Sequence, residues 1–335
     1  MTSVTPADQA KQHSAPKIVL PPRKHVLDLD DFSPEEISQI LETAGVLAEV
    51  LNRPISKVPA LRGKTVLTLF LEPSTRTRAS FERAAKALSA DTINLSGNES
   101  SAKKGESLID TARTMQAMGA SIIIMRHAMS GAPYLLAQHT DLSVINAGDG
   151  WHAHPSQALL DLYTMREKFG KVAGLKVVIV GDVLHSRVAR SNVWGLRKMG
   201  ADVTLSAPPT LLPEETLEAY AGELPGRLSI EFDLDKAVEG ADVVMALRIQ
   251  RERLATEGSM NLRDYIIAYQ VNDERMHKAK PSAMLMHPGP MNEGVEVSHG
   301  LAYSDRSLVE TQVKNGVAVR MALLYRLVGS AGVDA

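Results

Sequence analysis

Short, almost wholly apolar runs alternate with helical patterns along most of this chain, and no other feature limits its fold as strongly. In a parallel sheet covered on both faces, each strand reads as a continuous apolar run, and a crossover helix separates it from the next. Helices are indicated over 79–88, where apolar residues recur at i, i+3, i+4 and i+7 from Phe81, and over 156–169. The runs predicted to be strands are 65–71, 91–95, 121–125, 142–145, 176–180, 202–205, 242–247 and 283–286. The alternation predicts an α/β fold built on mainly parallel sheets.

The length and the local composition indicate how the chain is divided. Its 335 residues suggest about two domains of typical size. A fresh strand follows the 156–169 helix, so we place the domain junction at 171–174. Residues 1–22 are rich in Ser, Thr, Pro, Ala and Gln and bury too little apolar surface to order themselves. They predict a flexible N-terminal extension, which we end at residue 23.

The composition excludes several classes of protein. Its 37 Lys+Arg against 39 Asp+Glu give a formal net charge of -2, without the basic excess of a nucleic-acid-binding protein. The chain has no Cys, which removes disulfides, thiolate metal sites and Cys nucleophiles. No apolar run approaches the roughly 20 residues that span a bilayer, and no secretory signal stands at the N-terminus. We therefore expect a cytoplasmic protein that binds neither nucleic acid nor a membrane.

The most informative segment is 72–78, which links the first predicted strand to the 79–88 helix. A helix N-terminus carries positive partial charge and unpaired amides, so its first turn normally contains Asp or Glu. This segment has two arginines and three hydroxyl side chains instead, namely Arg76, Arg78, Ser74, Thr75 and Thr77. An anion such as phosphate can accept hydrogen bonds from the amides, the hydroxyls and Arg76 together. The segment predicts a phosphate site, with a plain hydroxyl cap and solvated arginines as the alternative.

Cationic groups follow several other predicted strands. Arg126 and Arg248 each come directly after a strand, as does the His-Pro-Gly-Pro run at 287–290. In open parallel sheets the ligand crevice lies outside the carboxyl ends of the strands, so these groups are expected to converge. Several cations at one edge repel one another unless they share an anion. A polar loop at 96–105 adds the pair Lys103-Lys104, which is either a solvated surface or a further contact with an anionic ligand.

Two further patterns resemble a metal site and a dinucleotide site, but each lacks residues that such a site needs. His152 and His154 form a His-x-His pair, but no third ligand stands at a suitable spacing, so a metal site is disfavoured. Hydrogen bonding to a ligand is favoured for His154 and Gln157, and a structural or surface position for His152. The strand at 176–180 opens like a dinucleotide-binding unit, but the turn after it lacks the required glycines. Beyond that turn, Arg187 can bind a carboxylate.

Taken together, these motifs resemble the carbamoyltransferase family, and within it the branch that uses aspartate. The segments that carry the resemblance are 70–78, 103–106, 125–127, 154–157 and 287–290, in order, and the likeness covers about 24–326. It implies two mainly parallel domains joined by long interdomain helices. A carbamoyl-phosphate-binding domain would take 24–153 plus 310–335, and an aspartate-binding domain 154–309. The implied reaction moves the carbamoyl group of carbamoyl phosphate to the α-amine of L-aspartate, as in pyrimidine biosynthesis, with no cofactor or metal.

The resemblance also implies a role for each site residue. Phosphate contacts are implied for Ser74, Thr75, Arg76, Thr77 and Arg126, and contacts with the carbamoyl oxygen, the catalytic role, for Arg76, Thr77, Arg126 and His154. Acceptors for the carbamoyl NH2 are Gln157 and the carbonyls of Pro288 and Gly289, and the aspartate carboxylates would meet Arg187, Arg248 and Gln250. Ser100 and Lys104 would enter from a neighbouring subunit. The family's homotrimer is therefore expected, alone or in a larger assembly with a dihydroorotase-like or regulatory chain.

The alternatives differ in the second substrate or in the class of protein. An ornithine enzyme of the same family places a Lys two positions before the Ser of the phosphate motif and a Cys beside the late His, where this chain has Glu72 and Pro288. Arg248 and Gln250 fit a dicarboxylate acceptor better. An inactive scaffolding homologue is disfavoured because every expected type of site residue is present. Many family members carry an Arg near the position of Glu293, so the charge beside the aspartate pocket departs from the usual pattern.

Overall fold

The computed structural model describes residues 23–96, 107–220, 222–249 and 260–330. Within these ranges the chain forms two parallel sheets with helices packed against them, so the predicted α/β architecture is confirmed. Residues 1–22 of the predicted extension lie outside the described residues. Arg23, which we assigned to that extension, is instead held by ion pairs of 2.8 Å to Asp31 and 2.9 Å to Glu36.

The first sheet has four strands in the order β2-β1-β3-β4, all parallel. Its strands are β1 (Thr65–Phe70), β2 (Asp91–Ser96), β3 (Ala120–His127) and β4 (Ser143–Asp149). The chain leaves β1 for β2 on one side and then crosses back to β3 on the other. The point where the direction of winding reverses therefore lies between the ends of β1 and β3.

The second sheet has five parallel strands in the order β7-β6-β5-β8-β9. Its strands are β5 (Lys176–Val180), β6 (Asp202–Ser206), β7 (Leu228–Ile230), β8 (Val243–Ala246) and β9 (Met284–Met286). Winding reverses between β5 and β8. The short edge strand β7 was not predicted, because its residues alternate between partly buried and exposed and form no apolar run.

Long helices join the two sheets, as expected. The helices of the described ranges are α1 (Pro34–Leu51), α2 (Thr75–Ala87), α3 (Leu108–Ala117), α4 (Ala132–His139), α5 (Pro155–Phe169), α6 (Arg187–Lys198), α7 (Leu234–Ala237), α8 (Leu262–Tyr269), α9 (Asp273–Lys278), α10 (His299–Ala302) and α11 (Val309–Ser330). Helix α5 leads from β4 into β5, and residues 155–165 are buried on all sides. Helix α11 returns from the second sheet and packs on α1, α2 and α5. None of the described helices has the length and apolar character needed to cross a membrane.

One apolar core runs through both halves of the molecule. It includes Ile145 of β4, Leu159 of α5, Val178 of β5 and Leu323 of α11, all fully or almost fully buried. A smaller cluster lies on the other face of the first sheet, where β1 and β3 pack against α3 and α4. The continuous core fixes the two sheets relative to each other, and with them the two points at which winding reverses.

The start of α2 was predicted incorrectly. We placed the helix at 79–88, whereas it spans Thr75–Ala87, with Ser74 as its N-cap residue. Residues 75–78 therefore form the first helical turn, where we expected Arg76 and Arg78. The start was placed four residues late because the apolar periodicity that marks the helix is confined to 79–88.

Candidate active site

A cleft of about 830 Å³ lies where the carboxyl ends of strands from both sheets face each other. This volume is typical of a small-molecule site. The predicted site residues that line it are Ser74, Thr75, Arg76, Thr77, Arg126, His154, Gln157, Arg187, Arg248, Pro288 and Gly289. Ser100, Lys104 and Gln250 lie outside the described residues. The topology therefore brings together side chains from six separate parts of the sequence.

The N-terminus of α2 is left open toward this cleft. The hydroxyl of the N-cap residue Ser74 makes no capping hydrogen bond, and the first turn contains no acidic residue. By contrast, α1 begins with a complete capping box at Ser33 and has Glu35 and Glu36 in its first turn. Unpaired amides and an uncompensated helix dipole at the edge of a cleft are the elements of an anion site.

Arg76 extends from this turn to the loop that follows β9. Gly289 has a φ of +66°, and a Cβ at this position would lie 3.1 Å from Cζ of Arg76. The missing Cβ lets the guanidinium approach that backbone closely, and the positive φ favours glycine there. Burial and the charge of Arg248 lower the pKa of Arg76. Two cations face each other here, and an anion between them would relieve the repulsion.

Glu72 is a cleft residue that sequence reasoning missed. Its Oε1 accepts hydrogen bonds from Arg126 Nη2 at 2.6 Å and from Arg187 Nη2 at 2.7 Å, and its Oε2 accepts from Arg187 Nη1 at 2.9 Å. Burial alone would raise the pKa of Glu72, but its bonds to Arg187 and Arg126 hold the pKa below its usual value. The carboxylate thus links the end of β1 to α6, across the cleft.

Gly148 at the end of β4 makes room for these two arginines. Its φ is +114°, and a Cβ would lie 2.9 Å from Arg187 Nε and 3.2 Å from Arg126 Nη1. Both guanidiniums therefore pack on bare backbone. A side chain at Gly148 would displace them from Glu72 and from the cleft.

His154 stands at the start of α5 as its N-cap residue and is 3% exposed. Burial, followed by the charges of Arg126, Arg187 and Arg320, lowers its pKa well below the usual value. The imidazole is therefore neutral near pH 7. A neutral ring has one N–H to donate, which suits a hydrogen bond to a carbonyl oxygen.

Arg320 of α11 also lines the cleft and was not predicted. Its Nη1 donates to the Ser80 hydroxyl of α2 at 2.9 Å, and burial lowers its pKa to about 10. The sequence feature that could have identified Arg320 as a site residue is its position as a single arginine inside the apolar run 317–324. It shows that the charges of the site extend beyond the strand ends to the last helix.

Other polar groups near the cleft have structural partners. His152, which we expected at a structural or surface position, lies 3.2 Å from the Asp149 carboxylate through Nδ1. Asp182, which follows β5, lies 2.8 Å from Nδ1 of His185. Glu293 contacts His299 and Tyr303 and is not among the cleft-lining residues. In the part of the chain that the structure describes, no three His, Asp or Glu side chains are arranged to hold a metal ion.

Comparison with known proteins identifies the family. Residues 24–167 match the family model "Aspartate/ornithine carbamoyltransferase, carbamoyl-P binding domain", and residues 173–327 match "Aspartate/ornithine carbamoyltransferase, Asp/Orn binding domain". The aspartate carbamoyltransferase catalytic subunit of Roseiflexus sp. (strain RS-1) is 58% identical over 307 residues, which are 92% of this chain and 96% of that protein.

Solved structures show the same relationship. The catalytic subunit of M. jannaschii aspartate transcarbamoylase is 34% identical with a TM-score of 0.80, over 92% of this chain and 98% of that one. Ornithine carbamoyltransferase from Pyrococcus furiosus is 32% identical with a TM-score of 0.83, over 91% and 97%. The Trypanosoma cruzi aspartate transcarbamoylase in complex with carbamoyl phosphate and aspartate is 28% identical with a TM-score of 0.81, over 90% and 96%. With both family models matched and the fold shared along its length, the chain belongs to the aspartate/ornithine carbamoyltransferase family.

Proposed function

We propose that this cleft transfers the carbamoyl group of carbamoyl phosphate to the α-amine of L-aspartate, which gives N-carbamoyl-L-aspartate and phosphate. The observation that carries the proposal is the meeting of the open α2 N-terminus with Arg187 and Arg248 in one cleft. The helix N-terminus is suited to a phosphate, and the two arginines are suited to two carboxylates. The names of the sequence relatives support aspartate as the acceptor.

The charge around the cleft suits two anionic substrates. Its lining includes the arginines Arg76, Arg126, Arg187, Arg248 and Arg320 and the carboxylates Glu72 and Asp182. Arginines outnumber carboxylates there, so bound anions lower the electrostatic energy of the site. We assign the phosphate to 74–77 and Arg126, and the carboxylates of aspartate to Arg187, Arg248 and Gln250.

The reaction needs no side-chain nucleophile. The aspartate amine attacks the carbonyl carbon of carbamoyl phosphate, and the new C–N bond forms as the carbonyl oxygen takes up negative charge. Arg76, Thr77, Arg126 and His154 donate hydrogen bonds to that oxygen and stabilise the tetrahedral intermediate. The C–O bond to phosphate then breaks, and the departing phosphate accepts the amine proton. Holding both substrates in attack geometry supplies much of the remaining acceleration.

The proposed division into domains follows the contacts with phosphate and with the carboxylates of aspartate, whereas the carbamoyl group also meets His154, Gln157 and the carbonyls of Pro288 and Gly289 of the second domain. We propose that 24–153 plus 310–335 bind carbamoyl phosphate and that 154–309 bind aspartate. The first set includes α2 and Arg126, and the second includes Arg187 and Arg248. Glu72 then links the two substrate sites through its bonds to Arg126 and Arg187.

We also propose that the active site is completed by a neighbouring chain in a homotrimer. The proposal rests on the family's pattern, in which the loop holding Ser100 and Lys104 reaches the next subunit. Lys104→Ala and Arg76→Ala homotrimers should both be almost inactive, whereas mixed trimers should recover activity. Recovery is expected because some mixed sites combine an intact Lys104 with an intact Arg76. Confirmed mixed trimers that stay inactive would show that Lys104 acts within its own chain or not at all.

The wider setting follows from the reaction. We propose a role in pyrimidine biosynthesis in the cytoplasm, either as a homotrimer or in an assembly with a dihydroorotase-like or regulatory chain. Size measurement of the purified protein by light scattering tests the trimer. A monomer that retains full activity would refute the shared site.

Phosphate release from carbamoyl phosphate tests the activity itself. The rate should rise with L-aspartate far above the rate without acceptor, and L-ornithine should be a very poor acceptor because Arg187 and Arg248 repel its side-chain ammonium. Comparable rates with ornithine would refute the aspartate assignment. Rates that respond to neither acceptor would favour the inactive homologue.

A further inference from the structure

A buried carboxylate lies behind the cleft, where α5, α6 and α11 meet. Asp161 is fully buried and accepts a hydrogen bond from each of three side-chain amides. Gln157 Nε2 lies 3.0 Å and Gln312 Nε2 2.7 Å from Oδ1, and Asn192 Nδ2 lies 2.9 Å from Oδ2. The roles assigned above do not use Asp161.

A carboxylate fixes the direction of every amide that it binds. It can only accept hydrogen bonds, so each amide must turn its NH2 group toward Asp161 and its oxygen away. Burial raises the pKa of Asp161 to about 6, with Asn192, Gln312, Gln157 and Arg320 opposing that rise. The group is therefore an ionised acceptor at neutral pH, and neither glutamine can flip without losing a buried hydrogen bond.

The side-chain oxygens of Gln157 and Gln312, which face away from Asp161, are turned toward the cleft and toward the loop beside it. Gln157 lines the cleft with its Nε2 committed to Asp161, so Oε1 is the atom that remains to meet a ligand. Gln312 Oε1 accepts from the backbone N–H of His287 at 3.0 Å. His287 is followed directly by Pro288 and Gly289, and its Nδ1 accepts from the Gly289 N–H at 2.8 Å. One carboxylate oxygen thus holds both the Gln157 amide and the loop that carries the two carbonyls.

We propose that Asp161 is a positioning residue that makes the cleft selective for an NH2 group on the acyl phosphate. It aims the Gln157 oxygen directly, and through Gln312 it fixes the backbone at 287–289, so that three acceptor oxygens converge on the carbamoyl NH2. A methyl group at the same place offers these oxygens no hydrogen and leaves them unpaired. The inference rests on the proposed function, because it assumes that a carbamoyl group occupies the cleft.

The binding of three ligands distinguishes this role from a general contribution of Asp161 to the stability of the fold. Carbamoyl phosphate carries the NH2 group, acetyl phosphate replaces it with CH3, and inorganic phosphate has neither. For Asp161→Ala we expect the KM or competitive binding constant of carbamoyl phosphate to rise by about tenfold or more, as the loss of well-placed acceptors predicts. The inhibition constants of acetyl phosphate and of inorganic phosphate should change little. The preference for carbamoyl over acetyl phosphate should fall accordingly.

Two matched variants sharpen the comparison. Asp161→Asn keeps one carbonyl oxygen for both glutamines. Asn192 Oδ1 has no hydrogen-bond partner among the described residues and can rotate to accept the new NH2. This variant should keep most of the selectivity. Thr164→Val removes the contact of Thr164 with Asn315 Nδ2 at 3.2 Å, one turn further along the same pair of helices, and should leave all three ligands unaffected.

The outcomes are distinguishable. If Asp161→Ala weakens all three ligands equally, or none of them, while the wild type is active, the inference is wrong and the proposed function stands. If Asp161→Ala does not fold, Gln312→Met, which keeps the volume but releases the His287 N–H, must lower the carbamoyl preference, and an unchanged preference overturns the inference. A wild-type protein that transfers no carbamoyl group to aspartate refutes the proposed function and this inference together.

Discussion

Replacing Arg76 by Ala should weaken phosphate binding by about 100-fold or more without destabilising the free protein. Arg76 contributes a guanidinium to the open N-terminus of α2, where burial and Arg248 already lower its pKa. Removing it relieves the electrostatic repulsion from Arg248, so the free energy of unfolding without ligand should stay the same or rise slightly. The bound state, in contrast, loses charge-assisted hydrogen bonds to the phosphate.

The size of the loss can be estimated from the geometry. Each charge-assisted hydrogen bond is worth about 1.5–3 kcal/mol, so losing a bidentate pair weakens phosphate binding by about 100-fold or more. At a phosphate concentration 100 times the wild-type Kd, the wild type should gain about 2.7 kcal/mol of stability, and the variant only about 0.4 kcal/mol. Turnover should fall by about 100-fold or more, since Arg76 also faces the developing oxyanion.

Chemical unfolding with and without inorganic phosphate measures both effects. Arg78→Ala is the matched control, because Arg78 lies in the same helical turn but lines no part of the cleft and lies 3.8 Å from Glu82. It should retain the full stabilisation by phosphate. If Arg76→Ala and Arg78→Ala lose stabilisation equally, the effect comes from net charge, and the phosphate site at α2 is refuted.

Three further substitutions test separate parts of the site. Arg248→Ala should raise the KM for aspartate by about tenfold or more, as expected for a lost charged hydrogen bond, and should change the KM for carbamoyl phosphate much less. Equal increases in the two KM values would contradict the division between domains. Gly148→Ala should lower kcat/KM sharply, because the new Cβ would lie 2.9 Å from Arg187 Nε. The control is Gly174→Ala, which should change only stability: Gly174 has a φ of +80°, and an added Cβ would meet no described atom within 4 Å. Because the pKa of His154 is lowered, the unfolded chain binds a proton at this residue below about pH 6.5 and the folded protein does not. His154 therefore lowers the free energy of unfolding as the pH falls, by up to about 1.4 kcal/mol per pH unit. His154→Gln should remove that component between pH 6.5 and 5.5 in urea unfolding, and parallel pH profiles for the two proteins would show that the imidazole titrates normally.

The strands were predictable because a strand buried on both faces must be apolar throughout. The runs at 65–71 and 176–180 correspond to β1 and β5 within one residue. The edge strand β7 has only three residues and no fully buried face, so its sequence resembles a loop. The start of α2 was placed four residues late because residues 75–78 carry no apolar periodicity, although Arg76 and Arg78 were expected in its first turn.

Within the site, the groups at strand ends were predictable and the groups that support them were not. Topology alone brings Arg126 and Arg248 to the carboxyl edges of the sheets. Glu72 also follows a strand, but its pairing with Arg126 and Arg187 gives no sequence signal, because these partners lie 54 and 115 residues away. Gln312 lies 151 residues from Asp161, and only the packing of α11 against α5 brings the two together.

The central claim is that one cleft holds both substrates at once. A bisubstrate analogue that joins a phosphonate to the amine of L-aspartate through an acetyl linker carries both sets of charges in one molecule, and isothermal titration calorimetry measures its affinity and stoichiometry. The account predicts one molecule bound per chain, more tightly than phosphate or aspartate alone, with a large loss of affinity in Arg76→Ala and also in Arg248→Ala. Binding that is lost in only one of these variants, or that is no tighter than phosphate alone, would show that the two halves of the cleft do not act on one ligand.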